Sequence, residues 1–173
     1  MKTVADQFVQ SHAAADVENR NWWRADIFAI VAERAGNEVI LASRILLVIL
    51  FLIFGWSKLT NYGGAVSYMA MTGAPVPQIS AAIAIAIEFF VGIAILSGIF
   101  TRPLALVMAF YTLATAFIGH PYWTMAGADQ LMAETNFYKN VSIMGGFLLL
   151  FITGAGKYSL DAISGGVFRA LSR

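Results

Sequence analysis

The stretch ISAAIAIAIEFFVGIAILSGIF, residues 79–100, decides how this chain is read. Glu88 is its one charged residue, and isoleucine, alanine and phenylalanine surround it without a polar face. A hydrocarbon core of about 30 Å is crossed by about 20 apolar residues at about 1.5 Å rise each. Residues Ile79–Phe100 are therefore read as a membrane span. Working outward, Val39–Ser57, Pro103–Gly119 and Phe137–Ala155 read the same way, and Arg102 marks a tight turn between the second and third spans. A soluble all-helical core is the alternative, but runs such as Leu104–Gly119 lack the polar face it requires. The expected fold is all-α: a four-helix transmembrane bundle preceded by an N-terminal amphipathic interfacial helix.

Hydrophobic residues make up 59% of the 173 positions and charged residues only 12%, too little polar surface for a soluble domain. The formal net charge of +1 gives no footprint for nucleic acid. Cysteine is absent, which excludes disulfides, thiol relays, cysteine-held iron–sulfur clusters and thiolate-held zinc from this subunit. The two histidines, His12 and His120, fall on opposite sides of the expected topology, so no metal site and no bis-histidine haem is expected. No covalently bound cofactor is expected either.

The chain divides into a charged arm, residues 1–38, a membrane domain, residues 39–157, and a tail, residues 158–173. In the arm Trp23, Ile27, Ile30 and Val31 share one helical face, and Trp22 and Trp23 suit the headgroup region. Residues 20–36 are read as a helix on the membrane surface, or else packed on a partner protein. Residues 1–30 are too polar for a signal-peptide core, so the first span is expected to act as an uncleaved anchor. Lys2, Arg20, Arg24 and Arg34 precede that span, Arg102 marks the short turn, and Lys157, Arg169 and Arg173 follow the last span. Thr60–Gln78 and Gly119–Tyr138 are read as longer loops. Of their interiors, the first has no Lys or Arg, and neither does the second. The positive-inside rule then puts both termini in the cytoplasm and the two longer loops outside.

Charge within a bilayer is costly and marks function or close pairing. Glu88 lies near mid-membrane, where an acidic residue costs about 2.5 to 3.5 kcal/mol to insert. Its helical neighbours Ala81, Ala84 and Gly92 are small, so this face is expected to approach another helix and to point Glu88 into the bundle. Lys58, Lys139 and His120 lie at the outer ends of their spans, with Asn140, Tyr122 and Trp123 near the same mouth. One of the two lysines is expected to reach Glu88. Glu88, Lys58, Lys139, Asn140 and His120 form the candidate intramembrane polar site, a pocket for a proton, a quinone head or another small ligand. A purely structural ion pair is the competing reading. On the inner side Arg44 is expected to snorkel or to pair with Asp161, and Arg102 to set topology.

Several of these motifs occur together in one family. Arg44-Ile-Leu, Phe54-Gly-Trp-Ser-Lys58-Leu, Glu88-Phe-Phe-Val-Gly92, Gly98, Thr101-Arg102, Phe137-Tyr-Lys139-Asn140, Gly145-Gly146 and Gly154-Ala-Gly-Lys-Tyr-Ser-Leu-Asp161 resemble, in order and spacing, the DoxX family over about residues 40–162. The resemblance implies a four-span protein of the bacterial inner membrane. It also implies a link to respiratory or sulfur redox chemistry, because the family includes small subunits of thiosulfate:quinone oxidoreductase. The charged arm, Met1–Glu38, lies outside the likeness.

Three functions of different classes follow. The chain is a membrane subunit of a quinone-linked redox complex, with a redox partner protein supplying electrons. Alternatively it is a non-catalytic binding or assembly protein, or a small proton or solute transporter, which at four spans calls for a homo-oligomer. The catalytic residues, if the chain has any, are not assigned by the sequence.

Overall fold

The computed structural model describes Ile30 and residues 35–164. The surface helix expected over 20–36 and the tail beyond residue 164 lie outside the described residues. The chain divides into two compact units, Met1–Asn37 and Glu38–Arg173, and the site described below belongs to the second.

All regular structure among the described residues is helical. Helix α1 spans Ala35–Thr60, α2 Tyr62–Met71, α3 Pro77–Ser97, α4 Thr101–Gly119 and α5 Gly127–Thr153. A short 3-10 turn, Tyr122–Thr124, links α4 to α5. Among the described residues three helices are long and apolar enough to cross a membrane: α1, α3, and α4 with the turn that continues it. Helix α5 is 27 residues long, but its first half carries Asp129, Glu134 and Lys139, so its apolar character is confined to the second half.

Two segments read as loops are helical. Residues 62–71 form α2 because Asn61 caps it, its side-chain oxygen accepting from Gly64 N at 3.0 Å. Helix α5 begins at Gly127, ten residues before the expected start of the fourth span, with Asp129 in its first turn where a carboxylate favours the positive end of the helix dipole. Helix α4 starts at Thr101, so Pro103 falls in its first turn, where the N–H that proline lacks has no intrahelical partner to lose.

The bundle core is built from α1, α3, α4 and α5. Val48, Phe51, Ile95, Ala105, Met108, Ala109, Phe147 and Leu150 are buried together, and the Phe51 and Phe147 rings meet edge to face at 5.5 Å. Lipid is as apolar as leucine, so close packing rather than hydrophobic transfer holds such helices together. Glycine supplies the close approach. A Cβ on Gly55 would lie 2.8 Å from the backbone N of Phe89, and one on Gly146 would lie 2.7 Å from Leu47 Cδ2. Leu46, Phe110, Leu149 and Ile152 stand exposed on the outside, as lipid-facing side chains do. At the end of the bundle near α2, Phe117, Tyr122, Trp123 and Phe137 form an aromatic cluster that ties the end of α4 to α5.

At the other end the chain after α5 is clasped back onto the bundle. Arg44 is almost fully buried and donates through Nη1 to the Ala155 carbonyl and through Nη2 to the Tyr158 carbonyl, both at 2.7 Å. Asp161 accepts from the backbone N–H of Phe100 at 3.1 Å and Thr101 at 3.4 Å, capping α4. Arg44 and Asp161, expected to pair with each other or leave Arg44 snorkelling, thus each bind backbone instead. Neither carbonyl has a side-chain signature in the sequence. Phe100 takes a left-handed conformation, φ 46°, just where the Asp161 carboxylate receives its N–H. Arg102 lies against Gly154, where a Cβ would approach its Nε to 3.1 Å.

Candidate functional site

Helix α3 is not a regular α-helix throughout. Ala86–Val91 is wound as a π-helix, and Glu88 lies inside that wider turn. The residues before and after it, Ala81, Ala84 and Gly92, are buried against neighbouring helices, which turns Glu88 inward. Gly55 on α1 meets the backbone of Glu88 and Phe89, while Leu52 fills the space that a side chain on Gly92 would take. The small residues on both helices therefore bring α1 close enough for its lysine to reach across.

Lys58 Nζ lies 2.6 Å from Glu88 Oε2. The other carboxylate oxygen, Oε1, accepts from the Tyr111 hydroxyl of α4, also at 2.6 Å. Glu88 is 7% exposed, so both of its oxygens are satisfied by side chains from two other helices rather than by water. Such charge-assisted contacts are short and strong. The Lys58 amine also lies 5.6 Å from the centre of the Phe54 ring.

The triad lines a cavity of about 750 Å³. Its walls include Leu50, Phe54, Ala84 and Ile118, and its rim includes His120, Lys139 and Asn140. The five residues of the expected polar site thus border one space, but only Lys58 bonds to Glu88. Lys139 donates instead to Asn136 Oδ1 at 2.8 Å, one turn back on its own helix. Tyr122 and Trp123, expected at the mouth, belong to the aromatic cluster, with the Tyr122 and Tyr138 hydroxyls 3.5 Å apart.

Tyr111 was not singled out by the sequence. It sits in an apolar span among Phe110, Leu113 and Met108, where an aromatic ring reads as packing. The available signal was a hydroxyl at mid-span, which in lipid needs a partner. Among the described residues no group of three His, Asp or Glu side chains is arranged to hold a metal ion.

Chemically, the arrangement offers an ammonium with N–H groups beyond the one given to Glu88, a carboxylate, and a phenol, all in a largely apolar chamber of small-molecule size. It can hold an acceptor atom against Lys58 and hold or move a proton between the three groups.

A family model described as DoxX matches residues 39–121. The chain is 51% identical over 123 residues to the inner membrane protein YphA of Escherichia coli, covering 71% of this chain and 88% of that protein. The chain belongs to the DoxX family. A second relative, the inner membrane protein YqjF of Escherichia coli, is 46% identical over 124 residues, covering 72% of this chain and 90% of YqjF. The ER-derived vesicles protein ERV29 of Saccharomyces cerevisiae is 30% identical over 129 residues, 75% of this chain but 34% of ERV29. No solved structure matches. The DoxX match spans α1 to α4 and so contains Lys58, Glu88 and Tyr111, while Lys139 and Asn140 lie beyond it. With its apolar helices and these relatives, this DoxX-family chain is an integral inner-membrane protein.

Proposed function

We propose that this protein is a membrane subunit of a quinone-linked redox complex, and that the cavity over Lys58, Glu88 and Tyr111 receives the quinone head. The observation that carries the reading is the Lys58–Glu88–Tyr111 triad, with Glu88 buried, in the wall of a largely apolar chamber. A quinone ring is apolar on its faces and carries carbonyl acceptors at its edge, which matches apolar walls with one ammonium donor. The π-helical turn at Glu88 adds support, because such turns frequently occur at functional sites.

In this reading a bound quinone supplies the electron acceptor, taking two electrons from a redox centre of a partner protein and two protons to become quinol. Lys58 donates an N–H to a carbonyl oxygen and offsets negative charge that gathers there. Glu88 holds the ammonium in place, and a proton that Lys58 gave to the reduced quinone would be replaced from water entering at the cavity rim, which would also supply the second proton. Tyr111 fixes the Glu88 carboxylate and so its distance from Lys58. Leu50, Phe54 and Ile118 keep bulk water from the deep end. The protein would cross the membrane four times, the second half of α5 being the fourth span, with both termini in the cytoplasm, as the distribution of Lys and Arg favours.

Titrating a short-chain quinone into the purified protein in lipid nanodiscs tests the reading. Saturable binding that weakens at least tenfold in Glu88→Gln and Lys58→Met is expected. Binding that is absent in the native protein, or equal in all three, would reject it. A non-catalytic binder would take up the same ligand but would reduce none when its co-purified partners and an electron donor are added.

A further inference from the structure

We infer that the Lys58–Glu88–Tyr111 cavity exchanges ligand and protons with one face of the membrane only, the face that carries α2. The inference rests on the reading of this cavity as a working site, but the route itself follows from where the bundle is open and where it is packed.

Three helices place the deep end of the cavity at a common depth. Leu50 is ten residues back from the end of α1, Glu88 is eleven residues into α3, and Tyr111 is eight residues back from the end of α4. At 1.5 Å per residue these are depths of about 12–17 Å, roughly half of a hydrocarbon core. Every other part of the lining lies toward α2: Asn61 and Tyr68 on that side, Thr115 and His120 along the end of α4, and Asn140 on α5. The rim is polar, so water and polar groups can enter there.

Beyond Glu88 the character reverses. Val48, Ile95, Ala105, Met108 and Phe147 are completely buried and fill the bundle between the triad and the far end. Thr112, level with Tyr111 at the upper edge of this layer, has its hydroxyl committed to the Met108 carbonyl at 2.7 Å. Below the layer stands the Arg44 guanidinium, 1% exposed, fixed by two carbonyls and with no hydrogen-bond partner at Nε among the described residues. A dry apolar layer offers no relay for a proton, and an immobile buried cation behind it repels one, as arginine does in pores that exclude protons. The hollow at that far end, bordered by Thr101, Arg102, Gly154 and Asp161, shares no residue with the triad's cavity. Protons consumed or released at Glu88 therefore cross to the α2 face alone. Under the four-span topology proposed above, that is the face opposite the cytoplasm.

The natural absence of cysteine makes the route directly measurable. Single cysteines are introduced in the cavity as Ser57→Cys and Ala114→Cys, and as face reporters in Thr60→Cys on the α2 side and Ser164→Cys at the far end. Each is exposed to a membrane-impermeant cationic thiol reagent in spheroplasts and, separately, in inside-out vesicles. Both cavity thiols are expected to react in the preparation in which Thr60→Cys reacts and to stay unmodified in the one in which Ser164→Cys reacts. Modification following Ser164→Cys, or from both sides, would overturn the inference. So would thiols that react in detergent and from neither side in membranes. If Ala114→Cys does not fold, Thr115→Cys, half-buried in the same lining, takes its place. Adding a short-chain quinone separates this inference from the reading beneath it. One-sided modification that quinone fails to slow would remove the quinone and leave the route standing.

Discussion

The ammonium of Lys58, two residues from the end of α1, and the carboxylate of Glu88, inside the π-helical turn of α3, meet at 2.6 Å with 17% and 9% of their side chains exposed. Thirty positions apart in sequence, they tie two helices whose backbones touch at Gly55. Removing one partner of a buried pair leaves the other charge uncompensated, at a cost of about 3–5 kcal/mol. Glu88→Gln and Lys58→Met should each destabilise the bundle on that scale. The double variant should recover more than half of the summed loss, measured by thermal or denaturant unfolding in detergent. Strict additivity would mean that the contact does not act as a pair.

Gly55 separates packing from electrostatics. A methyl group there would come within 2.8 Å of Phe89 N, which is backbone and cannot step aside. Gly55→Ala should cost about 1–3 kcal/mol and loosen the α1–α3 contact. Gly145 on α5 has nothing within 4 Å of the same methyl. Gly145→Ala should therefore raise stability by about 0.5–1 kcal/mol, the helix-propensity gain alone. Unfolding midpoints of the two variants, shifted in opposite directions, check the assignment.

The spans were legible because lipid demands long apolar runs, and the key charges were legible because they interrupt those runs. The sequence leaves open which of Lys58 and Lys139 reaches Glu88, and the geometry gives Lys58. Helix α2 was hidden by Gly63 and Gly64, which read as loop although Asn61 three residues before Gly64 is a good capping residue. The start of α5 was hidden because hydropathy detects the bilayer, not the helix, and residues 127–136 extend the helix through polar sequence. Tyr111 was missed because nothing local links it to a glutamate 23 positions away. The π-helical turn has no sequence pattern. The partners of Arg44 are not legible in the sequence because they are carbonyl groups, which every residue has.

Those carbonyls predict a local effect at the far end. Arg44→Met keeps much of the side-chain volume but leaves the Ala155 and Tyr158 carbonyls without their donor. Charged-donor hydrogen bonds contribute about 1.5–3 kcal/mol each, so the segment 155–164 should detach before the bundle unfolds. Limited proteolysis should cut there first in Arg44→Met. Asp161→Ala should cost less, about 0.5–2 kcal/mol, because it removes only a cap from α4. Equal protease resistance of Arg44→Met and the native protein would refute the clasp.

The final expectation concerns Tyr111, whose hydroxyl is the one group that distinguishes a held carboxylate from a merely paired one. Tyr111→Phe keeps the ring and removes the donor to Glu88 Oε1. Glu88 is 7% exposed, so the freed oxygen has little access to water, and leaving a buried acceptor unsatisfied costs about 1–3 kcal/mol. Lys58 still holds Oε2, so the fold should survive. Two readouts should then move together. The carboxylate stretching bands of Glu88, assigned by their loss in Glu88→Gln, should shift in the infrared difference spectrum as the hydrogen bond disappears. Affinity for a short-chain quinone should fall several-fold, less than in Lys58→Met, since Tyr111 acts on the ligand through Glu88 and Lys58 acts on it directly. A shifted carboxylate band with unchanged quinone affinity would leave Tyr111 a structural brace and detach it from the proposed site.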